Sequence, residues 1–270
     1  MIASAYKDPS VKIGSIFSTG CNAAYMETCR AVPKIHAAGH PVNSLVAINT
    51  EYGGFDNSSK ILHRTRFDKA IDAASARPKQ QLYEKMVAGL YMGEIVRRIL
   101  LELHTEYGFF AGQDVSRLHE RNILDSSFLS SIDEDASDTR EIIDRLMKEK
   151  LNLDTTFPER KTTRYIVEVV GTRSARLYAC GIAAICKKRD MASGKVGVDG
   201  SVFNYYTRFR LRAAQALRGI LDWPENSPDP IVFQQAEDGS GVGAALVAAL
   251  AMNQPSKSVD GVGVDGVLGV

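Results

Sequence analysis

The chain has 270 residues, 33 basic against 32 acidic side chains, 44% apolar, 24% charged and 8% aromatic residues. That length permits one large domain or two small ones. The even charge balance supplies no field to attract nucleic acid or an anionic membrane, so a small molecule is the expected partner.

Residues 11–26 and 45–50 (LVAINT) are short, β-branched and bounded by turn residues, which predicts strands. The first run breaks at Ser18-Thr19-Gly20-Cys21-Asn22, either an ordinary hairpin turn or a loop that holds a phosphate. From Gln80, Leu82, Met86, Leu90, Ile95, Ile99 and Leu103 recur at helical spacing. They predict one long helix of about six turns with Glu84 near its start. Residues 105–165 are charge-rich; SIDEDASDTREIIDRLMKEK predicts a solvated helical face, and Pro158 a break. Between Tyr165 and Lys187, Gly171, Ala175, Ala179 and Ala183 fall four apart, a stripe suited to close helix packing. GKVGVDGSVF reads as a short strand ending in a turn, and PIVFQQAEDGSGVGAALVAAL as strand, Gly-rich turn and apolar helix. That last arrangement leaves a helix N-terminus open to an anion. The tail VDGVGVDGVLGV repeats a simple unit, and 253–270 are expected to be disordered. Strands alternating with helices, without internal duplication, indicate an α/β fold.

Cys21, Cys29, Cys180 and Cys186 lack C-x-x-C spacing and a nearby His pair, which argues against a zinc ribbon or redox dithiol. With no secretory signal and no apolar run longer than Val242 to Met252, the expected location is the cytoplasm, off the membrane. His36, His40, His63, His104 and His119 have no spaced acidic or hydroxyl partner, Cys180 and Cys186 read as small core residues, and Asp133-Glu134-Asp135 as a solvated acidic face. No metal-ligand set is expected.

Three turns share one chemistry: Ser18-Thr19-Gly20, Asp199-Gly200-Ser201 and Asp238-Gly239-Ser240-Gly241-Val242-Gly243. Each combines Gly, which lets backbone approach a ligand, with a hydroxyl that can donate to a phosphate oxygen. Neither the Walker spacing nor G-x-G-x-x-G is present, so P-loop and Rossmann readings fail. Asn22, Glu51 and Glu84 are polar residues in apolar surroundings. Two carboxylates and an amide could converge on the hydroxyls of a polyol, although periodicity alone does not bring them together.

The strings STGCNAAYMET, INTEYGGFDN, QQLYEKM followed by GLYMGEI, GTRSARLYACGIAAICKK, VGVDGSVFN and AEDGSGVGAALVAAL together resemble the C-terminal, large-domain part of fungal-type hexokinases, over Met1 to about Met252. The resemblance implies the actin-like ATPase (ribonuclease-H-like) fold, with 1–252 as the hexokinase large domain, incomplete at its N-terminus. It implies ATP and Mg²⁺ as cofactors and phosphorylation of glucose, fructose or mannose at the 6-hydroxyl, feeding glycolysis. By resemblance Asn22, Glu51, Gln81 and Glu84 contact the sugar, with Gln81 one turn before Glu84. Thr19, Gly20, Ser126, Asp199, Gly200, Ser201, Gly239, Ser240 and Gly241 lie on the ATP side. The family usually has Gly where this chain has Ser18, and Gly after Pro where it has Lys79. A side chain at φ > 0 there costs on the order of 1 kcal/mol. The family's catalytic Asp lies upstream of the segment matching Met1, so the chain is expected to be inactive alone. The alternative is a non-catalytic hexokinase-like regulator that binds sugar or nucleotide.

Overall fold

The computed structural model describes residues 5, 7–36, 41–236 and 239–252. The predicted tail and Asp238 of the third turn lie outside them.

Two strands, β1 (Val11–Phe17) and β2 (Cys21–Thr28), form an antiparallel hairpin with Ile13 opposite Tyr25 and Phe17 opposite Cys21. Ser18 N–H donates to Gly20 O at 3.0 Å and closes the turn between them. Strand β3 (Leu45–Asn49) pairs antiparallel with β2, β4 (Gly194–Asp199) parallel with β1, and β5 (Ile231–Gln235) parallel with β4. The sheet order is β3-β2-β1-β4-β5.

Between β3 and β4 run α1 (Arg66–Ala73), α2 (Leu82–Val87), α3 (Gly89–Tyr107), α4 (Ser126–Glu134), α5 (Glu141–Leu151) and α6 (Phe157–Lys188). Two further helices, α7 (Ser201–Tyr205) and α8 (Thr207–Ile220), lead to β5, and α9 (Gly239–Met252) follows it.

Side-chain alternation in β1 and β2 turns Ile13, Ser15, Phe17, Cys21, Ala23 and Tyr25 to one buried face. Helix α6 covers that face: Tyr178 Oη donates to Ser15 Oγ at 3.1 Å, and its ring lies 4.7 Å from that of Phe17. Phe17 also stacks on Phe209 of α8 at 4.5 Å. Burying each such ring contributes about 1.5–3 kcal/mol, so this aromatic layer anchors the end of β1, where the hairpin turn begins. Helix α6 starts as Pro158 and the Thr156/Glu159 capping box dictate. Its stripe of small residues works as expected at Gly171, where a Cβ would come 2.8 Å from Tyr206 Oη.

Three expectations need correction. The single helix from Gln80 is two helices, because Ala88 is extended (ψ 158°). Gly89 N–H is drawn out of helical pairing to donate to Ser18 O at 2.8 Å, and a Cβ on Gly89 would lie 2.5 Å from Val202 Cγ2. The hairpin turn therefore docks where the helix would have continued. The acidic cluster is not a solvated face: Asp133 and Asp135 are fully buried. Asp133 accepts from Tyr206 Oη at 2.8 Å and is paired with Arg212, while Asp135 accepts from Ser137 N at 2.9 Å. Cys186 is a core residue as expected, but Cys180 is exposed.

Candidate functional site

The hairpin turn carries the site. Glu84, on the first turn of α2, reaches Gly20-Cys21: Cys21 N–H donates to Glu84 Oε2 at 2.9 Å. Gly20 makes that approach possible, since a Cβ there would stand 2.7 Å from the same oxygen. One residue on, Asn22 Nδ2 donates to Glu51 Oε1 at 2.9 Å, and Glu51 N–H donates to Asn22 Oδ1 at 3.1 Å. Consecutive backbone positions thus bring together two carboxylates that lie 33 residues apart in sequence (84 − 51) and an amide. Burial, then the Glu84 charge, pushes the thiol of the core-facing Cys21 up to about 12, which makes it inert as a nucleophile.

Glu51, two residues past the end of β3, caps the Tyr52–Gly54 turn in the left-handed region (φ 48°). Gln81 is not one helical turn before Glu84 on a shared face; it is the left-handed cap residue of α2 (φ 52°). Its Oε1 is buried with no partner among the described residues, 2.9 Å from where a Cβ of Gly53 would be. The Glu51–Gly54 turn and the start of α2 therefore touch. Before Gln81, Lys79 adopts φ 66° and donates its N–H to Asp72 Oδ1 at 3.0 Å. Burial works against the Asp72 carboxylate, yet Lys85 and this N–H hold its pKa below the ordinary value. Ser18, by contrast, is absent from the left-handed residues, so the strain expected of a Ser in place of Gly does not arise.

On the other side of the turn, Ser18 Oγ and Ser201 Oγ are 2.9 Å apart. Gly200 has φ 132°, and a Cβ there would lie 2.3 Å from Phe17 O. Only Gly fits, because β1 and the Asp199–Ser201 turn meet backbone to backbone. Gly239 opens α9 beside that turn, its hypothetical Cβ 3.3 Å from Asp199 Oδ2. Gly241 follows in the same helical turn with Ser240. Thr19 is exposed at the tip of the hairpin. Ser126 starts α4, whose Ser130 donates to Tyr205 O at the end of α7; among the described residues Ser126 itself makes no hydrogen bond to the other site residues. A cavity of about 180 Å³ joins the two sides, lined by Gly14, Ile16, Asn22, Asn49, Asp199 and Gly239.

Two neighbours escaped the sequence reading. Asn49 bridges Asn22 and Glu51, and Thr50 Oγ1 donates to Ala23 O at 2.8 Å. Their only signal was adjacency to Glu51 in INTEYGG.

The hexokinase family model matches residues 12–250. The chain belongs to the hexokinase family. It is 49% identical over 256 residues to a hexokinase of Emericella nidulans, covering 94% of this chain and 52% of that relative. It is 47% identical to hexokinase-2 of Candida albicans, covering 93% and 52%. The chain thus spans about half the length of the curated relatives it matches. Among solved structures, the hexokinase of Schistosoma mansoni complexed with glucose superposes with a TM-score of 0.81 at 33% identity, over 92% of this chain and 55% of that one. The α/β architecture is accordingly that of the actin-like ATPases. No helix among the described residues is long and apolar enough to cross a membrane.

Proposed function

We propose that residues 1–252 are the large domain of an ATP-dependent hexokinase, which binds a hexose and phosphorylates its 6-hydroxyl in the glycolytic cytoplasm. The observation that carries this reading is the convergence of Glu84 on Gly20-Cys21 and of Glu51 on Asn22. In each carboxylate one oxygen is held by the protein, and the other has no hydrogen-bond partner among the described residues. Free acceptors on a preorganised turn suit vicinal sugar hydroxyls, which would donate to Glu51 and Glu84 while Gln81 completes the rim. The schistosome relative, solved with glucose, supports the same ligand class.

For ATP, the support is the backbone cradle formed by Ser18-Thr19-Gly20, Asp199-Gly200-Ser201 and Gly239-Ser240-Gly241. Gly200 fits there because any side chain would strike Phe17 O. Thr19 would donate its hydroxyl to the transferring phosphoryl group, and Ser126 would lie on the outer nucleotide side. Among the described residues no group of three or more His, Cys, Asp and Glu could hold a metal alone. A Mg²⁺ carried in by the phosphates would be touched by the carboxylate of Asp199, which lies in one of these turns. Bound there, Mg²⁺ would neutralise charge on the transferred group. Glu51 and Glu84 would be engaged in sugar contacts, and neither is assigned the proton from the 6-hydroxyl. Ser18's unstrained backbone removes one reason to favour a non-catalytic regulator.

Calorimetry with glucose, paired with a coupled assay for glucose 6-phosphate in the presence of MgATP, tests the reading. Saturable heat that disappears in Glu84→Ala supports it. No heat from the wild-type chain contradicts it.

A further inference from the structure

The polarity of the Asn22–Asn49–Glu51 cluster is dictated from the backbone outward. Ala23 N–H and Glu51 N–H both point at one atom of the Asn22 amide, at 2.8 and 3.1 Å, so that atom is the oxygen. Asn22 Nδ2 must then face the other way, where it donates to Asn49 Oδ1 at 2.8 Å and to Glu51 Oε1 at 2.9 Å. With Asn49 Oδ1 committed as acceptor, Asn49 Nδ2 is left to donate to Glu51 Oε1 at 2.6 Å. Glu51 Oε1 therefore receives two amide donors, and its carboxylate can rotate only by breaking both. Glu51 needs that restraint, since it is exposed and its backbone is left-handed.

We propose that Asn49 is a positioning residue of the hexose site: by donating to Glu51 and accepting from Asn22, it holds both in the orientation that leaves Glu51 Oε2 open to a sugar hydroxyl. The inference rests on the hexose reading given above and adds to it a residue outside the sugar contacts. Its position is fixed independently of them, because Asn49 pairs with Ala24 in the β2–β3 ladder.

The test uses two substitutions whose order of effect separates positioning from packing. Asn49→Asp keeps the shape and the acceptor for Asn22 but replaces the donor with a carboxylate oxygen against Glu51, where like charges repel. Asn49→Ala removes volume and both hydrogen bonds but adds no charge. A positioning role predicts that Asn49→Asp weakens glucose binding about ten-fold and Asn49→Ala only about three-fold, measured by calorimetry on chains whose urea midpoints match the wild type. A packing role predicts the reverse order, and that result overturns the proposal. Binding within two-fold of wild type in both variants also overturns it while leaving the hexose site standing. Absence of glucose binding by the wild-type chain overturns the hexose reading itself and takes this inference with it.

Discussion

Gly20→Ala is the perturbation that most cleanly separates the site from the scaffold. The new Cβ would sit 2.7 Å from Glu84 Oε2 and 3.4 Å from its Cδ, with no backbone atom nearer. Ordinary contact requires the carboxylate to retreat by about 0.7 Å. The Cys21 N–H bond, 2.9 Å in the native chain, then stretches out of the normal range. A hydrogen bond to a charged acceptor contributes about 1.5–3 kcal/mol when buried, and this one is partly exposed, so its loss costs on the order of 1 kcal/mol. Gly20 is outside the left-handed region, so Ala fits its backbone and stiffens the unfolded chain, stabilising by about 0.4–1 kcal/mol. The two terms nearly cancel in stability, but not in binding, where Glu84 has moved off the sugar. We expect an unchanged urea midpoint with glucose affinity down about ten-fold, equivalent to about 1.4 kcal/mol. An affinity within two-fold of wild type would refute the reasoning, as would a loss of several kcal/mol in stability.

Gly200→Ala places a Cβ 2.3 Å from Phe17 O at φ 132°, and neither backbone can yield because Phe17 is fully buried. It should lower unfolding free energy by about 3 kcal/mol or more, read by urea denaturation. Asp133→Ala leaves the part-buried Arg212 guanidinium and Tyr206 Oη without their acceptor and should cost about 3–5 kcal/mol, with a matching fall in melting temperature. Asp68, Asp72 and Glu94 are all held below their ordinary pKa despite burial, by Arg173, Lys85 and Arg97 respectively. A depressed folded-state pKa gives stability that is complete above the unfolded value and is lost as pH falls through the folded one. Urea midpoints should therefore be level between pH 5 and 7 and drop steeply below about pH 4. Level midpoints down to pH 2.5 would contradict these pairings.

The strands were legible because β-branched runs bounded by turn residues have few other conformations open to them. The break at Ala88 was not, since the apolar spacing from Met86 to Leu90 stays in helical phase through it. What breaks the helix is Ser18 O, about 70 residues away and visible only once the hairpin is folded. The burial of Asp133 escaped for the same reason, as its partners are distant in sequence, Tyr206 at the junction of α7 and α8 and Arg212 on α8. Charge runs are read as solvated faces until a distant cation claims one member. Within the site, the residue types were readable but not their convergence. Asn22 and Glu51 meet through β2–β3 pairing, and Glu84 through the small Gly20, which are tertiary facts. Asn49 had the same chemistry as Asn22 and was passed over because its role depends on the direction of a hydrogen-bond chain.

The central claim is that the hairpin turn between β1 and β2, with Glu51 and Glu84 against it, is where a hexose binds. An NMR titration of the isotopically labelled chain with glucose tests this most directly. The account predicts saturable shifts confined to 18–22, 49–54 and 79–84, abolished by Glu51→Ala or Glu84→Ala. Saturable shifts elsewhere, for instance at Cys180, Ala184 and Ile185 along the apolar cavity beside α6, with the hairpin turn unmoved, would contradict it.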